Sequence, residues 1–210
     1  MDASPLRLYL VADPDLVVGH LATIVSAAIN GGVTSVQLRV KSRSDCEFER
    51  LGSEISTICR DRGVLFLVND RLDIAMAVGA DGVHLGVDDL TIESVRKIGG
   101  DRFIVGYSPE SDEQAAVAAS RGADYLGVGP VYGTASKADA GAAIGLATLG
   151  RRARLSGIPT IGIGGVSAAN AAAVLAAGAC GVAVMSAILC ANHPASAART
   201  LADSLHARPT

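Results

Sequence analysis

Tryptophan is absent from this chain, and three phenylalanines and four tyrosines are its whole aromatic content. Ala, Val, Ile, Leu and Gly dominate instead, and half of the residues are apolar. A disordered or fibrous chain does not have this composition, whereas buried parallel strands alternating with helices do. The four cysteines (Cys46, Cys59, Cys180, Cys190) form no CxxC pair and show no other metal-ligand spacing. Three fall in predicted helix or strand interiors, so they read as buried thiols in a reducing cytosol. A net charge of −3 argues against a nucleic-acid surface. No apolar run approaches membrane-spanning length, and the short one near the N-terminus has no small-residue cleavage site behind it. A cytoplasmic protein is expected. No HExxH, Ser-His-Asp or Cys-His arrangement is visible, which sets aside zinc and acyl-transfer chemistry.

What is present is regular. The 210 residues are enough for one core and are read as a single domain, with 206–210 expected as a frayed tail. Strands are predicted at Leu8–Val11, Ser35–Val40, Val64–Val68, Gly82–Leu85, Phe103–Gly106, Tyr125–Val128, Thr160–Ile163 and Gly181–Met185. Helical spacing fills the intervals: Leu21–Ile29, a helix capped by Asp45 and stopped at Gly63, Leu72–Val78, and one starting at Thr91. Another opens at Ser111 or Asp112 and stops at Gly122, and the last spans Ala195–Leu205. A weak repeat runs through GGVTSVQLR, VGADGVHLG, RGADYLGVG and AGACGVAVM. It recurs roughly every 45 to 55 residues, about two strand-helix units, which places it at strands two, four, six and eight. A doubly wound open sheet has no reason to repeat in quarters. An α/β fold of the single-domain (β/α)8 barrel type is expected.

Chemistry in such a barrel sits at the C-terminal strand ends. Those ends carry Gln37, Arg39 and Lys41 on strand two, Asn69 and Asp70 on three, Asp88 and Asp89 on four, and Ser108 on five. They continue with the loop Thr134 to Lys137 after strand six, Gly164 and Gly165 after seven, and Met185 and Ser186 after eight. Strand one offers little. Arg39 and Lys41 alternate with apolar residues, so they share a face; they either meet carboxylates or face an anionic ligand. Lys137 favours the ligand, because it lies in a long loop at the catalytic end. Alone, Asp70 would be a helix cap and Asp89 a solvated loop acid. Together with three cations they make a diphosphate site. Mg²⁺ between two carboxylates leaves Arg39, Lys41 and Lys137 at about +3 to face a pyrophosphate of about −3.

The stretch from Ile158 to Ile188 forms a second anion site. A glycine pair, Gly164 and Gly165, follows strand seven, and Ser167 is placed to cap the next helix. An isolated glycine pair would read as a tight turn. Between the seventh and eighth strands of a barrel, backbone N–H groups at a helix start are suited to a monophosphate. His84 reads as a satisfied interior histidine. A barrel isomerase of sugar phosphates would want an acid/base pair across the pocket, and none is evident.

Six segments then carry a resemblance: VQLRVK (36–41), VNDRLDIA (68–75), GADGVHLGVDDL (79–90), ADYLGVGPVYGTASK (123–137), IGIGGVSAAN (161–170) and GVAVMSAI (181–188). With them the chain resembles the thiamine-phosphate synthase family over almost its full length. That resemblance implies a Mg²⁺-dependent transferase with two small-molecule substrates, a hydroxymethylpyrimidine diphosphate and a thiazole phosphate, joined with release of pyrophosphate. It implies that Arg39, Lys41, Asn69 and Lys137 hold the diphosphate, that Asp70 and Asp89 ligate Mg²⁺, and that Gln37 contacts the pyrimidine. Thr134 and Ser136 would help place both phosphorylated groups. Gly165, Met185 and Ser186 would contact the thiazole phosphate, and Ser108 would lie near the reacting carbon. The implied mechanism is dissociative and needs no general base.

The chain departs from the family pattern at Val87 (usually Gln), in Ser108-Pro109-Glu110 (usually a histidine two positions after the serine), at Gly133 (Pro) and at Ala12 (Thr). The missing loop histidine sets the chain apart from the thiazole tautomerase branch, the nearest rival. A non-catalytic binder of thiazole or thiamine phosphate is a second rival. Oligomeric state, a homo-oligomer included, is left open.

Overall fold

A computed structural model describes residues 2–134 and 141–206. Eight parallel strands close a barrel in sequence order. They are β1 (Leu8–Ala12), β2 (Ser35–Leu38), β3 (Leu65–Asn69), β4 (Gly82–Leu85), β5 (Ile104–Tyr107), β6 (Tyr125–Val128), β7 (Thr160–Ile163) and β8 (Gly181–Val184). The seam pairs β1 with β8, through Leu8 opposite Val182 and Leu10 opposite Val184.

Helices α1 (Leu21–Asn30), α2 (Asp45–Arg62), α3 (Leu72–Ala77), α4 (Ile92–Gly99) and α5 (Asp112–Arg121) follow the first five strands. After β6 and β7 come α6 (Gly145–Ser156) and α7 (Ala171–Ala176), and β8 is followed by α8 (Ser186–Leu189) and α9 (Pro194–His206). The outer faces of the strands and the inner faces of the helices share one apolar core, in which Leu10, Val36, Leu38, Val68, Val83 and Leu126 are fully buried. Alternation along each strand sends the other set of side chains into the barrel. Those residues, not the core, build the site.

Local chemistry explains several boundaries. Ser44, one residue before the expected Asp45, is the cap of α2. Its hydroxyl accepts from Glu47 N–H while the Glu47 carboxylate accepts from Ser44 N–H, a reciprocal box. Ser111 and Gln114 repeat the device at α5, and Thr91 caps α4. Gly63 and Gly122 end α2 and α5 in the left-handed conformation.

Two further expectations fail. The helix after β7 does not begin behind Ser167. Asn170 Oδ1 accepts from Ser167 N–H at 2.8 Å, Asn170 Nδ2 donates to Gly165 O at 3.0 Å, and the helix starts only at Ala171. An asparagine turn has outcompeted the serine cap. The thiols are also less buried than expected: Cys59 is buried, Cys180 half-buried, and Cys46 and Cys190 exposed, all four free. Cys46 lies in the first turn of α2, on its solvent side, and Cys190 lies just past the four-residue α8. Of the tail expected to fray from 206 onward, His206 closes α9 instead, and 207–210 lie outside the described residues. Among the described residues no helix is long and apolar enough to cross a membrane.

Candidate active site

The C-terminal strand ends surround one cavity of about 380 Å³. Gln37, Arg39, Lys41, Asn69, Asp70 and Asp89 line one side of it, with Ser108 near them at the end of β5. Thr134, Gly165, Met185 and Ser186 line the other side. Eleven candidates separated in sequence by up to the length of the barrel therefore share a single space. Ser136 and Lys137 lie outside the described residues.

The two described cations, Arg39 and Lys41, are engaged by carboxylates. Arg39 Nη1 donates to Asp13 Oδ2 at 2.6 Å, and both side chains are largely buried. Lys41 Nζ stands 2.5 Å from Asp70 Oδ2. Strand one, expected to offer little, supplies Asp13 to the site. The alternation that aligns Gln37, Arg39 and Lys41 on the neighbouring strand aligns Tyr9, Val11 and Asp13 in the same way, and Val11 sits opposite Gln37. With Asp13 counted, the described part of the site carries one positive charge fewer than Arg39 and Lys41 with Asp70 and Asp89 alone imply. The Arg39 Nε has no hydrogen-bond partner although it is buried. The guanidinium is thus held at one edge and unsatisfied at another.

Asp70 leaves β3 with φ of +62°, the sole described non-glycine residue in the left-handed region. Its N–H is fixed by His84 O at 2.8 Å. The strained backbone turns its carboxylate toward Asp89 at the end of the adjacent strand. Burial first, and then the Asp70 carboxyl beside it, push the Asp89 carboxyl above its ordinary value. Gly86 N–H, donating to Asp89 Oδ2 at 2.6 Å, opposes this shift and fixes the side chain. Two hard oxygen donors held together against their own repulsion fit a divalent cation of the Mg²⁺ class. No group of three or more His, Cys, Asp or Glu residues able to hold a metal occurs among the described residues. The remaining ligands would have to be phosphate oxygens and water.

On the opposite side, Gly164 and Gly165 both have positive φ. A Cβ on Gly164 would lie 2.5 Å from Pro130 Cβ, and one on Gly165 would lie 2.5 Å from Gly133 O. The pair is therefore required by the close passage of the β6 loop as well as by the turn. That loop stays bound to β7 through Val131 N–H to Ile163 O and Tyr132 N–H to Gly164 O. Helices α7 and α8 are too short to add a substantial dipole. What they leave is a concave backbone wall from Gly164 to Val166 facing Met185, Ser186 and Ala187.

Arg152 on α6 is a further residue the sequence did not single out. It is buried, and its guanidinium donates to Pro109 O at 3.0 Å, to Glu110 O at 2.5 Å and to Asp112 Oδ1 at 3.2 Å. It locks the segment that follows Ser108.

This constellation can be set beside known proteins. The family model for thiamine monophosphate synthase matches residues 8–188. The chain belongs to the thiamine monophosphate synthase family. A thiamine-phosphate synthase of Methanospirillum hungatei is 46% identical over 198 residues, covering 93% of this chain and 96% of its own. Another thiamine-phosphate synthase, from Natronomonas pharaonis, is 48% identical over 201 residues and 94% of each chain. The solved thiamine phosphate pyrophosphorylase of Pyrococcus furiosus superposes with a TM-score of 0.88 at 36% identity, covering 97% of this chain and 96% of that one. The family's strand-five loop here presents Ser108, Pro109 and Glu110, with no histidine.

Proposed function

We propose that the protein is a thiamine-phosphate synthase, joining a hydroxymethylpyrimidine diphosphate to a thiazole phosphate with release of pyrophosphate. The observation that carries this is the convergence of Arg39, Lys41, Asn69, Asp70 and Asp89 on one side of a single cavity, in a chain of this family. A diphosphate seated there would take the free edge of Arg39 and compete with Asp70 for Lys41. Asp70 and Asp89 would hold Mg²⁺, which when bound neutralises charge on the leaving phosphate oxygens. Lys137 and Ser136 complete this reading from the segment outside the described residues.

Each remaining residue has a part that its position supports. Gln37 stands below Arg39 on β2, at the depth a pyrimidine would reach. Ser108 sits between that depth and the charged rim. Thr134, Gly165, Met185 and Ser186 form the side suited to the thiazole phosphate. Departure of pyrophosphate precedes capture by the thiazole nitrogen, so catalysis consists of positioning and charge stabilisation. Four free thiols fit the reducing cytoplasm in which we place the protein.

The test is direct. Purified protein with both substrates and Mg²⁺ should yield thiamine phosphate detectable by mass spectrometry. Uptake of thiazole phosphate without any product would mark a binder instead.

A further inference from the structure

Beneath the charged rim, a line of hydrogen bonds crosses the barrel interior. Gln37 Nε2 donates to Tyr9 Oη at 2.8 Å, and Tyr9 Oη meets Tyr125 Oη at 2.9 Å. Tyr125 Oη meets His84 Nδ1 at 2.9 Å, and His84 Nε2 meets Ser108 Oγ at 2.8 Å. Five side chains from β2, β1, β6, β4 and the end of β5 are thus joined, and Tyr9 and Tyr125 are fully buried.

The barrel makes room for this line. His84, Gly106 and Tyr125 occupy one rung of the sheet, with Gly106 paired to each. A Cβ on Gly106 would come within 2.3 Å of Tyr125 Cζ and 2.4 Å of His84 Nδ1. A Cβ on Gly127 would come within 3.0 Å of His84 Cε1. Two glycines in adjacent strands therefore let His84 reach across β5.

Proton counting gives the line a direction. Tyr9 already accepts from Gln37, so its own proton is satisfied by donating to Tyr125; were Tyr125 the donor, a buried phenol proton would be stranded. Tyr125 then donates to His84 Nδ1. A neutral imidazole has one proton, which must sit on Nε2 and be donated to Ser108 Oγ. Burial pushes both phenols well above their ordinary value, so neither line member is emptied of its proton at working pH.

We infer that Tyr9, Tyr125 and His84 are positioning residues that fix the Ser108 hydroxyl as a hydrogen-bond donor toward the cavity, where the departing phosphate oxygen takes it. Ser108 receives one bond from behind, and its own proton is left to the substrate. No proton is transferred along the line; it sets orientation. Links of this kind polarise one another, which strengthens the last donor.

Two measurements test this. The first needs no substrate. In ¹⁵N-labelled protein, with the signal assigned by its loss in His84→Gln, His84 should carry its proton on Nε2 with Nδ1 bare. A proton on Nδ1, or on both nitrogens, overturns the inference whatever the protein catalyses. The second rests on the function proposed above. Tyr125→Phe should lower kcat roughly tenfold with KM for both substrates unchanged, a fraction of the roughly 10²–10³ lost with a positioned donor. In a Ser108→Ala background the same change should have no further effect on kcat. An equal fold-loss in both backgrounds would show general packing damage and overturn the inference.

Discussion

Asp13 holds Arg39. The contact of 2.6 Å joins the end of β1 to the end of β2, and it makes the guanidinium a half-neutralised, pre-oriented group and not a free cation. Removing one member of such a buried pair strands the other, at about 3–5 kcal/mol. Asp13→Asn is therefore expected to lower Tm markedly. Inorganic pyrophosphate with Mg²⁺ should then raise Tm by more in the variant than in the parent, since the anion replaces the lost partner. Equal increments would show that Arg39 does not meet the anion.

The left-handed backbone of Asp70 separates two roles of that residue. Asparagine tolerates this conformation and alanine does not, a difference of about 1–2 kcal/mol. In urea unfolding, Asp70→Asn should be more stable than Asp70→Ala by about that amount, while both lose Mg²⁺-dependent turnover. Equal stability of the two variants would mean that the turn relaxes freely.

The thiols divide by burial. Burial pushes the Cys59 thiol up to about 12 and raises Cys180 as well, whereas Cys46 and Cys190 are exposed. A chromogenic disulfide reagent at pH 8 should react quickly with two equivalents in the folded protein and with the others only on unfolding. A third fast equivalent would place Cys180 or Cys59 in reach of solvent.

Asp89→Asn should raise the Mg²⁺ concentration needed for half-maximal activity, because the proposed metal site would lose one of its two protein carboxylates. An unaltered Mg²⁺ titration would remove Asp89 from the metal site.

Much of this architecture is legible in the sequence because glycine marks it. The bounds of β4, β6 and β7 coincide with the expected strands, each flanked by glycine stops and short turns. Errors arise where two residues compete for one role. Ser44 and Asp45 are both able to cap α2, and the glutamate three residues after Ser44 was the signal that decides it. Ser167 resembles a cap until Asn170 closes a turn on it.

Candidate site residues at strand ends are readable because alternation is local. Asp13 obeys the same rule at the end of β1, in line with Tyr9 and Val11. The interior line is a different matter. Tyr9, His84 and Tyr125 come from three strands, His84 and Tyr125 meet across Gly106 only because it is small, and no local pattern announces that. Arg152 is equally silent, because its partners, two backbone carbonyls and the Asp112 carboxylate, come from another loop and from the start of α5.

The central claim is that separate basic and acidic side chains serve one departing diphosphate. Pyrophosphate release at saturating substrates and Mg²⁺, compared between the parent protein and Lys41→Ala or Lys137→Ala, tests it most directly. A fall in kcat of roughly 10²–10³ in each variant is expected, the usual loss for one positioned charge. Release at the parental rate would contradict the account.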